Sequence, residues 1–256
     1  MAIEMADPVP LSRDISQTDR ATISIRDMVL RGAFGTGERL TELSLVAMLG
    51  VSRTPVRAAL QRLADEGLLE ATHPSGYLVR GFSETEICDA IEVRGTLEGL
   101  AARMAAERGV SQRQLARMRD CLRQIDEAFA RADPHDEQMA AYSVPNRRFH
   151  ALMLGASGSE VVARALERAM SLPWASHSAF VSVWATTPGC MENLRLSQRQ
   201  HHDIVDALEA RSSARVEPLV REHARMARRN FELVLRDSDA LKHIAGARLI
   251  RRRGTA

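Results

Sequence analysis

Lysine is almost absent from this chain: Lys242 is the only one, so nearly every cation is an arginine. Aromatic residues make up only 4%, which leaves aliphatic side chains to carry most of the packing. There are three cysteines, Cys88, Cys121 and Cys190, odd in number and without a C-x-x-C pair. That pattern excludes a disulfide framework and a cysteine-type zinc ribbon, and fits free thiols in a reducing cytoplasm. No apolar run approaches the roughly eighteen residues of a membrane span, so no membrane partner is expected. Residues 1–17 hold acidic groups and two prolines but no hydrophobic segment. They read as a flexible lead rather than a signal peptide. Net charge is also scarce, at +2. Residues 1–80 carry nine arginines against ten acidic residues, a local balance of −1. Bulk charge therefore does not announce nucleic acid, and any such affinity must come from where the arginines stand.

What is present is a mainly α pattern. Residues 50–57, Gly-Val-Ser-Arg-Thr-Pro-Val-Arg, read as a turn entering a helix. Gly50 suits the left-handed position that closes a preceding helix. Ser52 suits an N-cap, and Pro55 a first turn where its missing N–H is not needed. Such a helix start exposes backbone N–H groups that favour a phosphate. Arg53 and Arg57 are four apart and share a face, and arginine forks onto guanine O6/N7 or onto phosphate. Around this core lie an expected first helix from Asp19 to Leu30, with Ile23, Ile25, Met28 and Val29 on its apolar side, and a short second helix capped by Thr41, carrying Leu43, Leu45, Val46 and Leu49. The third runs from Arg53 to Glu66, burying Val56, Leu60 and Leu63. Leu68 and Leu69 start a strand, His73-Pro74-Ser75-Gly76 turns, and Tyr77-Leu78-Val79 returns. These elements compose a winged helix-turn-helix over residues 18–80.

The string Glu38-Arg39-Leu40-Thr41-Glu42, then Gly50 to Arg57, Ala59-Leu60, Arg62-Leu63, Glu66-Gly67-Leu68 and Gly76, resembles the N-terminal domain of GntR-family bacterial transcription regulators. The resemblance implies DNA contacts from Arg39, Ser52, Arg53, Thr54, Arg57 and Gly76. Two positions depart from it. Ala58 stands where the family usually has glutamate, and Ser75 where a basic residue commonly precedes the wing glycine. The second departure weakens the expectation that the wing reads the minor groove.

Residues 83–236 show helical periodicity only. Ser83-Glu84-Thr85-Glu86 forms a capping box, and helices are expected at 84–108, 111–131, 135–155, 159–171, 173–186, 190–211 and 213–236, with Pro145 kinking one of them. Glu92-Val93-Arg94 with Leu97-Glu98, Asn146-x-x-Phe149-His150, and His201-x-x-Ile204-x-x-Ala207-Leu208 followed by His223 resemble the FadR-like branch of the same family. That branch has an FCD-type all-helical bundle that senses ligands and dimerises. The segment 237–256, with Arg251-Arg252-Arg253 near its end, reads as a frayed basic tail, the alternative being a DNA-contacting arm.

Three histidines sit in apolar stripes where a core would prefer aliphatic groups. His150 lies beside Phe149 and Met153, His201 beside Ile204 and Leu208, and His223 beside Val220 and Met226. The turn at Ser212 falls midway between His201 and His223. At about 1.5 Å per residue both stand roughly 16 Å from it, so an antiparallel hairpin sets them level. A third helix presenting Asn146 and His150 would complete a four-donor cluster, as bundle metal sites do. Neutral imidazoles suit zinc, nickel or copper, and zinc or nickel is the expected divalent ion. The resemblance implies the same site, with an aspartate usual where Asn146 stands; an amide brings no charge and should bind more weakly. It also implies that Arg94 forks an effector carboxylate, while a simple ion pair with Glu98 explains Arg94 equally well. His177 shares a face with Trp174 and Phe180 and reads as structural, with lining the pocket as the alternative, and His202 reads as a rim residue.

The expectation is a cytoplasmic, nucleoid-associated bacterial repressor. As a homodimer it would bind a palindromic DNA operator, and a small organic acid held at the metal would control it. The alternatives are a DNA-binding protein with a purely structural helical domain, or a tri-histidine metalloenzyme. For the latter, neither Glu98 nor Glu222 is well placed as a base.

Overall fold

The computed structural model describes residues 16–72, 76–130, 136–172, 174–177 and 189–251, with the backbone alone for 136–140. Most of the expected N-terminal lead, the wing tip at residues 73–75, His135, the expected helix beyond residue 177, and Arg252 and Arg253 lie outside the described residues. The chain divides into two compact units, 1–80 and 81–256.

In the first unit, α1 (Gln17–Leu30) begins earlier than Asp19, because the Ser16 hydroxyl caps it by accepting from Asp19 N at 3.1 Å. It buries Ala21, Thr22, Ile25 and Val29, while Ile23 faces solvent. Thr41 caps α2 (Glu42–Leu49), which buries Leu45 alone; Leu43 is 62% exposed. Both buried stripes are narrower than the sequence pattern implies, and α2, with only two turns, offers the core a single line of side chains. Gly50 takes the left-handed φ of 65° that ends α2 and turns the chain into α3 (Arg53–Asp65). Val56, Ala59, Leu60 and Leu63 of α3 pack inward, and its exposed edge is tied to α1 by Arg26–Glu66 and by Arg62–Asp19 at 2.9 Å.

The wing is a three-stranded sheet. β2 (Leu69–Ala71) and β3 (Tyr77–Val79) are antiparallel, and β1 (Arg39–Leu40) pairs with the other edge of β3. Two residues cannot show alternation, so β1 left no trace in the sequence pattern. The turn closes with Thr72 N donating to Gly76 O at 3.0 Å.

The second unit opens with β4 (Phe82–Ser83) and α4 (Glu84–Arg108), which starts in a formed capping box between Ser83 and Glu86. Then come α5 (Gln112–Ala130), α6 (Asp136–Ala156), α7 (Glu160–Met170), α8 (Cys190–Glu209) and α9 (Ser213–Arg236). α6 continues as a helix through Pro145. Leu115, Met118, Leu122 and Ile125 recur at helical spacing on α5 and join Phe149, Met153, Ile204, Leu208, Val216 and Val220 in one core. α4 and α9 approach closely at Gly95 and Gly99. A Cβ on Gly95 would stand 2.5 Å from Ala224 Cβ, and one on Gly99 would stand 3.1 Å from Glu217 O.

Two expectations are corrected. Residues 174–177 form a turn rather than the start of a helix, and Trp174 has a left-handed φ of 64°. Residues 237–251 are not frayed. Asp237 accepts from Asp239 N and Ala240 N, both at 3.0 Å, to start α10 (Ser238–Lys242). A 3₁₀ turn at 247–249 leads into β5 (Ile250–Arg251), which pairs in parallel with β4. The apolar Ile244, Leu249 and Ile250, which are buried, anchor the segment despite its basic end.

Candidate functional site

In the first unit the exposed start of α3 gathers the expected DNA contacts. Ser52 occupies the N-cap position, but its side chain makes no capping bond. Orphan N–H groups of the first turn are thus left facing outward, as a phosphate requires. Arg53, Thr54 and Arg57 are exposed. Arg57 is also fixed in place: Nε donates to Glu42 Oε1 at 2.7 Å and Nη2 to Glu42 Oε2 at 2.9 Å. The paired guanidinium lowers the Glu42 pKa. Arg39 and Gly76 meet at the base of the wing. Gly76 has φ +115°, and a Cβ there would stand 2.8 Å from Arg39 Nε, so the arginine lies across a spot only glycine leaves open.

In the second unit α6, α8 and α9 bring three imidazoles to one point. His201 Nε2 lies 3.0 Å from His223 Nε2, which lies 3.4 Å from His150 Nε2. Each of the three Nδ1 atoms faces a side-chain oxygen. His201 Nδ1 is 3.0 Å from Gln198 Oε1, His223 Nδ1 is 3.3 Å from Gln200 Oε1, and His150 Nδ1 is 3.2 Å from Glu98 Oε1. Gln198 is itself oriented, because its Nε2 donates to Leu122 O at 3.0 Å and Asp126 Oδ1 at 2.8 Å. Oxygen acceptors at Nδ1 of His201 and His223 place the ring proton there and leave their Nε2 lone pairs on the inside.

That inward arrangement bears on a metal. One Nε2 has either one proton or one lone pair, so His223 Nε2 cannot hydrogen-bond both neighbours as an acceptor. A cation among the three satisfies all of them. Zinc–nitrogen bonds of about 2.0–2.1 Å set tetrahedral donor atoms about 3.3 Å apart, close to the separations found. Burial lowers the pKa of His150 to about 4 and holds His201 and His223 well below the ordinary imidazole value. All three are therefore neutral and fit to coordinate. Asn146, buried one turn before His150, lines the same cavity. The cavity is small, about 30 Å³.

Arg94 is buried, at 3% exposure. Its Nη1 donates to Ala175 O at 3.0 Å, its Nη2 to Ala224 O at 3.4 Å, and its Nε stands 3.5 Å from Glu98 Oε2. Glu98 is the residue sequence reasoning undervalued. Buried on α4, it also accepts a hydrogen bond from His177 Nε2, and the His177 ring stacks on His150 with centroids 3.9 Å apart. The attraction of His177 and His150 outweighs burial and holds the Glu98 carboxyl well below its usual range. Its signals in the sequence are its spacing of four from Arg94 and its place in the Glu92-Val93-Arg94, Leu97-Glu98 string. His202 is exposed beside Asp126, at 3.1 Å, as a rim position implies.

The pattern of the family described as "Bacterial regulatory proteins, gntR family" matches residues 17–79, and that of "FCD domain" matches residues 89–226. The chain belongs to the GntR family and carries an FCD domain. It is a DNA-binding transcription regulator, and its homologues are transcriptional regulators rather than enzymes. It is 42% identical over 95 residues to the Nta operon transcriptional regulator of Aminobacter aminovorans, a stretch spanning 37% of this chain and 45% of that one. It is 25% identical over 201 residues to the HTH-type transcriptional repressor GlaR of Escherichia coli, covering 78% and 88%. The fold is shared with E. coli McbR/YncC at a TM-score of 0.59 and 21% identity, over 87% of this chain and 98% of that one. GntR regulators bind DNA operators, and FCD domains bind small effectors and often metals. Among the described residues no single helix is long and apolar enough to cross a membrane.

Proposed function

We propose that this GntR-family protein is a cytoplasmic, nucleoid-associated transcriptional repressor that binds a palindromic operator as a homodimer, and that a small organic acid at a divalent metal site releases it. The observation that carries the sensing half is the convergence of three Nε2 atoms, each ring backed at Nδ1 by Glu98, Gln198 or Gln200. His150, His201 and His223 would hold zinc or nickel, with Asn146 as a neutral fourth donor. Bound there, the metal supplies a Lewis-acidic point for a carboxylate. Arg94 lines the cavity. With Nη1 and Nη2 already donating to backbone carbonyls, it adds positive field and shape more than an open fork.

On the DNA side, the N-terminal turn of α3 and Arg53, Thr54 and Arg57 would enter the major groove, with Arg39 and Gly76 at the wing. Two-fold symmetry of the protein would be matched by two half-sites.

A chain of hydrogen bonds and ring packing runs from the cavity toward the linker. His177 and Ser176 line the cavity, and Ala175 O holds Arg94. Trp174 Nε1 donates to Ala245 O at 3.0 Å, and its ring meets Phe82 edge-on at 5.5 Å. Phe82 lies two residues past the first unit and pairs with Ile250. A ligand that moves residues 176–177 therefore pulls on the segment that leaves the DNA-binding unit. The test is metal analysis of purified protein, followed by gel-shift titration on a selected operator with and without small acids. The reading expects bound zinc or nickel, loss of operator binding with at least one acid, and sharply weaker binding by Arg53→Ala. Metal-free protein that no acid affects would favour a purely structural helical domain.

A further inference from the structure

Glu42 is an acidic residue on the face that must approach phosphates. Taken alone it opposes DNA binding, and as an exposed ion pair with Arg57 it adds little to stability. Its geometry gives it a use. A guanidinium has a side edge, Nε with Nη2, and an end edge, Nη1 with Nη2. Glu42 takes the side edge with both carboxylate oxygens, at 2.7 and 2.9 Å. The end edge keeps two parallel N–H donors, the fork that matches guanine O6 and N7. The Arg57 side chain is 68% exposed even with this bond formed, so the end edge is accessible. Glu42 itself is held by its place in the first turn of α2, where the helix dipole favours a carboxylate.

We infer that Glu42 is a specificity-determining positioning residue: it fixes Arg57 with its end edge outward for a guanine and keeps that arginine from drifting to a phosphate. The inference rests on the placement of α3 in the major groove. An arginine released from Glu42 would serve as a mobile cation, which raises sequence-independent affinity and lowers discrimination. Removing the carboxylate also removes a charge that repels every phosphate, and this acts in the same direction.

The experiment uses the full chain and a duplex selected from a random library. Affinities of wild type, Glu42→Gln, Glu42→Ala, Arg57→Ala and the Glu42→Ala/Arg57→Ala double variant are measured at one salt concentration. Each is tested on the selected site, on sites altered one base pair at a time, and on unrelated duplex. Wild type should reject replacement of one guanine by about tenfold or more, a bidentate contact being worth about 1–3 kcal/mol. Glu42→Ala and Glu42→Gln should lose most of that rejection at the same base pair while binding unrelated duplex as well as wild type or better. The double variant should discriminate no worse than Arg57→Ala. Full base discrimination in both Glu42 variants, or a weakening equal across all sequences, overturns the inference. If Arg57→Ala changes no base preference, the reading of α3 fails and this inference with it.

Discussion

His201 and His223 meet Nε2 to Nε2 at 3.0 Å although 22 residues separate them. The hairpin of α8 and α9 explains this, since both rings stand the same number of residues from the turn at Ser212. His150 arrives from α6, and its Nε2 is 3.4 Å from that of His223. His223 is thus the common neighbour, and its replacement should cost the most. His223→Ala is expected to lower zinc affinity by about a hundredfold or more. Gln200→Ala or Gln198→Ala, which only release a ring, should cost about 10–100-fold. Competition against a chelating zinc indicator measures both. Zinc affinity unchanged in His223→Ala would make the three imidazoles ordinary core residues.

The same rings set a pH dependence for the metal-free protein. Burial lowers the His150 pKa to about 4 and depresses His201 and His223 as well. Below about pH 6.5 the unfolded chain takes up protons that the folded state refuses, so acid favours unfolding. Stability should be flat above about pH 7 and fall as the pH drops from about 6.5 toward 4. Glu98 has the opposite arrangement: its depressed pKa contributes stability above its unfolded value and loses it only at lower pH. The interval between about 6.5 and 4.5 therefore reports the imidazoles. Urea unfolding of metal-free protein at about pH 7, 6 and 5 would show it, and equal midpoints at all three would contradict buried neutral rings.

Arg94 and Glu98 are both almost wholly buried and 3.5 Å apart. Removing one leaves the other without its counter-charge, which for buried pairs costs about 3–5 kcal/mol. Arg94→Ala should fall at the lower end, because His150 and His177 still face Glu98. The companion Arg94→Met/Glu98→Gln should recover part of the loss. Chemical denaturation of the effector-free protein decides the point. A purely ligand-binding arginine would leave that stability unchanged.

The parts of this molecule that could be read from sequence were those fixed by local chemistry or by helical register. Gly50, Thr41 and the Ser83–Glu86 box mark helix ends within a few residues, and the shared height of His201 and His223 follows from counting to one turn. The parts that could not were made by residues distant in sequence. Glu42 and Arg57 are 15 apart, Glu98 and His177 79 apart, and Trp174 and Ala245 71 apart. No periodicity connects such pairs. β1 is too short to alternate, and in residues 237–251 the basic charges mask the role of Ile244, Leu249 and Ile250, whose burial anchors the segment. Arg94 was ambiguous for a related reason. Spacing showed its partner Glu98, but only packing shows that Ala175 O and Ala224 O take its remaining donors.

Trp174 gives the most direct test of how the cavity could speak to the linker. Its left-handed φ of 64° is costly for a bulky residue, so the contacts around it must hold it there. Those contacts are the Nε1–H bond to Ala245 O and the edge-on packing against Phe82. Trp174→Phe deletes the donor and leaves an aromatic ring beside Phe82. Zinc affinity and acid binding should stay within about twofold, because neither uses the indole nitrogen, and operator affinity without effector should be similarly preserved. The response should shrink: coupling of about 1–3 kcal/mol corresponds to a 5–150-fold effect of effector on operator affinity, and the variant should retain only a small part of it. A gel-shift titration with and without the acid reads this directly. A variant that still responds in full would place the coupling route elsewhere in the helical unit, away from residues 174–177.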